Sequence, residues 1–301
     1  MNAAQQPMPA ALNALFSRWT PAHSGGAHPL LEAVFSAGHT NRNFLVRIGP
    51  ERLVVRIPDV KPGRFGIDRV LEARVLTAVS DLGIAPDILL CEPDTGILVS
   101  RYVSSRPLRV DGIRADQRID RVAEAMSALH RLTIDAPIVS LLDRVRYYAD
   151  QIPRSDKATR KRARGWLDTC RHALEAYHFS RGTACLCHHD LVAANVLDTD
   201  RGPIFIDWEY AALGDPFFDL ATLAEEHNFG RLDRERLLLS YGEPWPEAHE
   251  RLRLARIMHR LLSVLWYLVR IRSARTVDAM QAALVRHEQA LTKLLDRQDD
   301  L

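Results

Sequence analysis

The sequence predicts an α+β fold in which a strand-rich first third precedes a mainly helical remainder. Short apolar runs separated by glycine and proline turns fill residues 31–58 and 86–102, a pattern typical of antiparallel strands. From Asp111 onward the apolar residues recur with helical spacing. A chain of 301 residues is long enough for two lobes, so we expect one lobe for each pattern.

The bulk composition argues against several classes of protein. Apolar residues make up 47% of the chain, which is ample for sizeable cores. The 40 basic and 38 acidic side chains give a formal charge of +2, which favours neither nucleic acid nor an anionic membrane as a partner. No apolar run approaches about 20 residues, and the N-terminus lacks a signal-peptide pattern. Four cysteines without a regular spacing are typical of a reducing compartment. We therefore expect a cytoplasmic protein without membrane insertion.

Five strands and two helices are expected in the first third. Leu12, Leu15 and Trp19 have the spacing of a short helix, and Val70, Leu71 and similar residues repeat that spacing further along. The predicted strands are 31–35, 44–48, 53–58, 86–90 and 96–102, and the predicted helices are 9–19 and 66–82.

Helices dominate the rest of the chain. The predicted helices are 111–132, 139–152, 158–177, 216–227, 237–241, 251–273 and 276–295. A basic run from Arg154 to Arg164 has no interleaved aromatic residues, so a solvated helix face explains it better than a nucleic-acid patch.

The most informative stretch is residues 185–221. It contains His188-x-Asp190, then Asn195, a short apolar run, a turn at 198–202 and a second apolar run that ends at Asp207. Two strands joined by so short a turn form a hairpin, which brings Asn195 and Asp207 side by side at one end. Asp190 then lies on the loop just outside. We therefore expect two carboxylates and an amide oxygen to converge on a small volume.

These oxygen groups suit magnesium-dependent phosphoryl transfer. Mg²⁺ takes few protein ligands together with substrate phosphates, and Asn195 and Asp207 provide such ligands. Asp190 is then left to orient or deprotonate an attacking hydroxyl, which is the division of roles in kinases. A polar turn between core strands is the alternative, and the strand-ending Asp207 makes it less favoured.

The motif resembles the aminoglycoside phosphotransferase and choline kinase superfamily. The matching residues are Cys187-His188-His189-Asp190-Leu191, Asn195 and Asp207-Trp208-Glu209-Tyr210-Ala211, which are especially similar to bacterial choline and ethanolamine kinases. The resemblance implies a protein-kinase-like fold, with a small antiparallel-sheet N-lobe at 1–103 and a larger, mainly helical C-lobe at 104–301. It also implies that the hinge, with Ser100 and Tyr102, contacts the adenine of ATP.

The resemblance further implies a phosphate-binding group in the N-lobe. Gly38-x-Thr40-Asn41-x-Asn43 is similar to the phosphate loop of choline-kinase-like enzymes, although an ordinary hairpin turn is the alternative. Arg56 takes the place where other kinases carry a lysine, and Arg is common there in choline kinases. Glu72 is expected to pair with Arg56. An edge-strand arginine reaching water and a solvated glutamate are the alternative interpretations.

Several residues of the C-lobe receive roles from the same resemblance. His188 and Asp190 are the catalytic-loop pair, and Asp219 is expected to accept hydrogen bonds from the loop N–H groups. Glu209, Glu226 and Trp266 are assigned to the acceptor. A carboxylate and an aromatic face suit a quaternary ammonium group, whereas core packing is the common role of a helical tryptophan.

Cys185-x-Cys187-His188-His189 has the residue types of a zinc site. We expect alternating cysteines on a strand to point to opposite faces, and the sequence has no second cysteine pair. We therefore expect no zinc at these residues.

Together these observations predict an ATP- and Mg²⁺-dependent phosphotransferase that acts on choline or ethanolamine. Thiamine or an aminoglycoside as acceptor stays open, as does a catalytically inactive nucleotide-binding regulator. The expected partners are ATP and a small alcohol, with no nucleic acid. A homodimer also stays open.

Overall fold

The computed structural model describes residues 7–22, 25–35, 41–58, 67–108, 115–179, 181–242, 247–271 and 277–296. The chain forms two compact units. The first contains residues 1–106 and 197–211, and the second contains residues 107–196 and 212–301.

A five-stranded antiparallel sheet forms most of the first unit. Its spatial order is β1-β2-β3-β5-β4. The strands are β1 Leu30–Phe35, β2 Asn41–Ile48, β3 Glu51–Pro58, β4 Ile88–Glu92 and β5 Ile97–Arg101, and the helices are α1 Ala10–Phe16 and α2 Arg69–Ser80. All five predicted strands and both helices are therefore present.

The core of this unit follows from the alternation of side chains along its strands. Leu53 and Val55 of β3 are fully buried, and they pack in one cluster with Val46 of β2 and Leu12 of α1. Arg56 has β2 on one side and β5 on the other, because it lies opposite Asn43 and Leu98 in the two ladders. It therefore occupies a central strand and not an edge.

The hairpin predicted after Asn195 is formed. Its strands, β8 Val196–Thr199 and β9 Gly202–Phe205, form a small sheet with β6 Arg106–Pro107. A 3₁₀ turn, Trp208–Tyr210, follows. The N–H of Phe205 donates to the carbonyl of Ile84, at 2.6 Å. Residues 197–211 consequently belong to the first unit, whereas the predicted division had placed everything after residue 103 in the second.

Helices build the second unit. They are α3 Ala115–His130, α4 Leu141–Gln151, α5 Lys157–Thr169, α6 Arg171–Ala176, α7 Pro216–Glu226, α8 Arg231–Tyr241, α9 Ala248–Arg270 and α10 Val277–Leu295. The long helix α9 packs against α4, α7 and α10. Two short strands, β7 Cys185–Cys187 and β10 Ala212–Gly214, pair antiparallel. These strands support the loop that begins at His188.

Two helix predictions differ from the structure by more than a small shift of an end. The single helix predicted at 158–177 is divided at Cys170 into α5 and α6. Helix α8 begins at Arg231 and not at 237, because the Asp233 carboxylate accepts the N–H of Gly230 and caps a polar first turn. Polar first turns carry no apolar periodicity, so the pattern concealed this start.

Two expectations drawn from the sequence concern the basic run at 154–164 and the hydropathy of the helices. Arg162 of α5 is an exposed partner of Glu288, as expected for a solvated helix face. Within the described ranges, every helix is too short or too polar to cross a bilayer.

Candidate active site

Arg56 is the centre of a buried ion-pair network in the first unit. Its guanidinium donates to both carboxylate oxygens of Glu72, through NH1 to Oε1 and through NH2 to Oε2 at 2.8 Å. Burial alone would lower the pKa of Arg56, but the hydrogen bonds and charge of Glu72 raise it above its ordinary value. The predicted pairing of Arg56 with Glu72 is therefore confirmed as a contact.

Arg69, which was not among the predicted site residues, extends this network. Its NH1 lies 2.8 Å from Oε2 of Glu72 and 3.0 Å from Oε2 of Glu209. Its NH2 donates to Oδ1 of Asn41 at 3.1 Å, and Nδ2 of Asn41 donates to Glu209 at 2.8 Å. The only available signal was the spacing of Arg69 and Glu72 on one helix face.

Asp207 stands at the edge of the network in a strained conformation. Its φ is 66°, in the left-handed region that a non-glycine residue rarely adopts. Its Oδ1 is 3.7 Å from NH1 of Arg56 and, among the described residues, has no hydrogen-bond partner although it is buried. Burial and the charge of Glu209 raise the pKa of Asp207 to about 7. A buried, unsatisfied oxygen under like-charge repulsion fits a cation ligand.

Four residues around the turn before β2 were predicted to bind the nucleotide phosphates, and the structure describes two of them. Gly38 and Thr40 lie outside the described residues. Both ends of the Asn41 amide are hydrogen-bonded within the ion-pair network. Asn43 is half-buried beside Arg56.

The two predicted hinge residues lie at the end of the sheet. Ser100 is buried on β5, and Tyr102 follows that strand with the guanidinium of Arg52 4.4 Å from its ring centre. The N–H of Tyr102 donates to the carbonyl of Arg52 at 2.8 Å. These contacts tie the segment after β5 to β3.

Asp219 holds the loop that begins at His188 in the second unit. Its carboxylate accepts the N–H of His188 at 2.6 Å and the N–H of His189 at 2.8 Å. His189 itself has a φ of 63°, in the left-handed region. The predicted contact of Asp219 with the loop is therefore confirmed.

A third partner of Asp219, which the sequence did not reveal, is His130. Its Nε2 lies 3.2 Å from Oδ2 of Asp219, and its Nδ1 lies 2.7 Å from the hydroxyl of Tyr241. Burial by itself would raise the pKa of Asp219, but the hydrogen bond and charge of His130, with His189 and His188 nearby, lower it to about 2. Asp219 is thus a permanent carboxylate, which keeps the loop N–H groups satisfied.

Asp190 and Asn195 contact each other across the loop. Nδ2 of Asn195 donates to the carbonyl of Asp190 at 2.9 Å and to its Oδ2 at 3.0 Å. Both bonds use the amide nitrogen and neither uses Oδ1 of Asn195. The N–H of Asp190 donates to Nδ1 of His188 at 3.3 Å, and the His188 ring is fully buried. His188 therefore shapes the loop, while Asp190 is partly exposed.

The residues assigned to the acceptor are already in contact with other groups. Glu226 Oε1 lies 3.1 Å from Nε2 of His259 and 3.3 Å from NH1 of Arg260. Burial would raise the pKa of Glu226, but these partners lower it to about 2. Trp266 is half-buried, with the guanidinium of Arg270 5.5 Å from its ring centre. Glu209, assigned to the acceptor from sequence, is buried in the ion-pair network.

The cysteine geometry corrects one prediction. Cys185 and Cys187 are two positions apart, and such residues share one face of a strand. Their Sγ atoms are 3.8 Å apart. The expectation that they point to opposite faces was wrong.

The antiparallel sheet of the first unit and the helices of the second are those of a protein-kinase-like fold. Residues 33–255 match the family described as "Phosphotransferase enzyme family". Because that match covers more than half of the chain, the protein belongs to this family.

Relatives and solved structures agree with this assignment. Protein LicA from Haemophilus influenzae is 27% identical over 241 residues, which is 76% of this chain and 70% of the relative. The choline kinase LicA from Streptococcus pneumoniae has a TM-score of 0.72 at 23% identity, covering 89% of this chain and 95% of that one. A choline/ethanolamine kinase family protein from Mesorhizobium loti has a TM-score of 0.67 at 25% identity, covering 90% and 92%.

The first prediction concerns the close packing of Gly214 against the ring of His189. A Cβ added at Gly214 would lie 2.2 Å from Nε2 of His189, whose ring packs on Phe218 at a centroid distance of 5.9 Å. We expect Gly214→Ala to cost about 1–3 kcal/mol through overpacking, measured as a lower Tm. Gly165→Ala is the matched control, because nothing lies within 4 Å of its Cβ and alanine favours the helix. Equal Tm for Gly214→Ala and the wild type would contradict the contact.

A second prediction concerns pH and Asp219. Since the folded pKa of Asp219 is lowered to about 2 from 3.8, its stabilisation is complete above the ordinary value and is lost as pH falls towards 2. We expect Asp219→Asn to lower stability by about 2–3 kcal/mol at neutral pH. The difference in Tm from the wild type should narrow below pH ~4. Asp200→Asn, at a side chain that is 91% exposed, is the control. A gap that stays constant over the acid range would refute the ionised state of Asp219.

Proposed function

We propose that this protein is an ATP-dependent small-molecule kinase that transfers the γ-phosphoryl group to the hydroxyl of an amino alcohol. The observation that carries the proposal is the loop from His188 to Asn195. Its N–H groups are fixed by a buried carboxylate, and its Asp190 side chain is bonded to Asn195 while still partly exposed. A fixed carboxylate on a solvent-facing loop suits general-base catalysis on an alcohol.

Asp190 is the residue that we assign to the acceptor hydroxyl. The Asn195 amide donates to its carboxylate, so one oxygen is held in place. In kinase phosphoryl transfer the loop aspartate orients the alcohol and accepts its proton. His188 supports this role by receiving the N–H of Asp190, and we assign it a positioning role.

Asn195 and Asp207 are the residues that would hold Mg²⁺. Oδ1 of Asp207 is buried without a hydrogen-bond partner in the described part of the chain, and the two hydrogen bonds from Asn195 to Asp190 use the amide nitrogen. Asn195 directly precedes β8, and Asp207 follows β9 by two residues. When bound, the ion neutralises charge that develops on the phosphates during transfer. Its charge would also lower the pKa of Asp207.

Arg56 is assigned to the ATP phosphates. Glu72 fixes its guanidinium, and the central position of β3 prevents it from swinging into solvent. Arginine can bind phosphate oxygens through two parallel N–H bonds. The role of Glu72 and Arg69 is then to keep that guanidinium oriented. Ser100 and Tyr102 are assigned to the adenine from the resemblance alone.

Choline or ethanolamine is the acceptor that we propose. The support is the similarity to Protein LicA and to the choline/ethanolamine kinase family protein, together with an arginine at position 56. Trp266 offers an aromatic face for a quaternary ammonium ion. Glu226 is already paired with His259 and Arg260, so it contributes less free charge than the sequence suggested.

Asp190→Asn tests the catalytic assignment. We expect kcat to fall by about 10²-fold or more, because the amide cannot accept the hydroxyl proton, while the Kd of ATP stays within a factor of about two. Asp200→Asn, the exposed change at the hairpin tip, serves as the control with wild-type kcat. Undiminished kcat in Asp190→Asn would remove Asp190 from the mechanism.

A panel of acceptors tests the substrate. ADP release is measured with choline, ethanolamine, thiamine and an aminoglycoside, each with Mg²⁺ and with EDTA. We expect magnesium-dependent release above the acceptor-free rate for choline or ethanolamine. Release with thiamine or the aminoglycoside alone would overturn the acceptor. Nucleotide binding without release for any acceptor would favour an inactive regulator.

A further inference from the structure

Two thiols and an imidazole lie together behind the catalytic loop. One ligand atom of His130 and the Sγ atoms of Cys185 and Cys187 are all within 4.8 Å of one another. Cys187 is fully buried, His130 is buried, and Cys185 is half-buried, so the cluster has an accessible side. The phosphotransferase chemistry proposed above uses neither thiol.

The separation of the sulfur atoms matches a bound metal. Two thiolates at about 2.3 Å from a tetrahedral ion lie about 3.8 Å apart. The Sγ atoms of Cys185 and Cys187 are 3.8 Å apart. Two sulfur ligands are therefore already at coordinating separation without backbone movement.

His130 has the orientation that metal ligands usually have. The carboxylate of Asp219 receives its Nε2–H at 3.2 Å, which leaves Nδ1 as the basic nitrogen. Metal-binding histidines commonly donate their other N–H to a carboxylate in this way. Nδ1 lies 2.7 Å from the hydroxyl of Tyr241, and a metal ion bound through Nδ1 would replace this contact.

The surroundings are negatively charged, which favours a cation. Burial comes first among the causes that raise the pKa of Cys187, and Cys185, Asp219 and Asp215 add to it. The last two are buried carboxylates. A cation bound to both sulfurs would displace their protons to solvent and offset the carboxylate charge.

We propose that His130, Cys185 and Cys187 form a site for a thiophilic d¹⁰ cation, Zn²⁺ or Cu⁺. Sulfur and imidazole ligands select such ions over Mg²⁺, which prefers oxygen ligands, so this site is chemically distinct from the proposed Mg²⁺ site. Because Cys187 directly precedes His188 and His130 contacts Asp219, the bound ion joins β7 to α3 beside the loop. The proposal does not depend on kinase activity.

Co²⁺ substitution gives the first test. The full chain is reduced, treated with a chelator and titrated with Co²⁺, whose thiolate complexes absorb by sulfur-to-metal charge transfer. We expect this absorption to saturate at one equivalent in the wild type and to be lost in Cys185→Ser. Cys91→Ser is the matched control, because Cys91 is also a half-buried free thiol but lies on β4 of the first unit. Equal absorption in the two variants would refute the site.

The identity of the ion comes from competition experiments. Zn²⁺ is competed with a chromophoric chelator, and Cu⁺ with a copper(I)-specific chelator under anaerobic conditions. Stoichiometric retention of either ion by the wild type and Cys91→Ser, but not by Cys185→Ser, supports the proposal and names the cation. A rise in Tm with the retained ion, absent in Cys185→Ser, is the independent readout. Retention of neither ion overturns the proposal.

Discussion

The carboxylate of Asp219 is the contact on which the loop from His188 to Asn195 depends. It accepts two consecutive backbone N–H groups, from His188 and His189, and His189 has a left-handed backbone. Such a backbone conformation costs about 1–3 kcal/mol unless its surroundings stabilise it. Because Asp219 is buried and stays ionised, its hydrogen bonds to the two N–H groups offset that free-energy cost over the whole neutral pH range. Asp190 is the next residue in the chain, so its position follows from this one carboxylate.

The first unit contains a cluster of buried charged side chains. Three carboxylates meet two guanidinium groups there, and these groups leave one excess negative charge. Glu72 and Glu209 are matched by arginines at close range, whereas Oδ1 of Asp207 is 3.7 Å from its nearest cation. An uncompensated buried charge is costly. The pKa of Asp207 is raised because its charged form is destabilised by burial and by Glu209. A bound divalent ion would stabilise the charged form.

Local patterns predicted part of this arrangement and missed the rest for physical reasons. The short turn was enough to predict the hairpin before Asp207, whereas the pairing of Arg56 with Glu72 was predicted from the resemblance to kinases and not from a local period. The contact of His130 with Asp219 joins residues 89 positions apart, and no local period encodes it. Cys185 and Cys187 show the opposite case. Their spacing did place both on one face, and the prediction failed because the strand period was applied wrongly.

The acceptor residues were the hardest to predict. Whether a carboxylate or an aromatic ring can bind a cationic acceptor depends on which other charged groups already contact it. Glu226 has the carboxylate expected for a cationic acceptor, but His259 and Arg260 already neutralise it. Trp266 has the expected aromatic face, and Arg270 lies 5.5 Å from its ring centre. A quaternary ammonium ion that bound this face would exchange one cation for another. Recognition of the quaternary ammonium ion would then depend on the shape of the site and on the free energy of desolvation. A quaternary ammonium ion is weakly hydrated and loses water easily, whereas a guanidinium gives up its hydrogen bonds less easily.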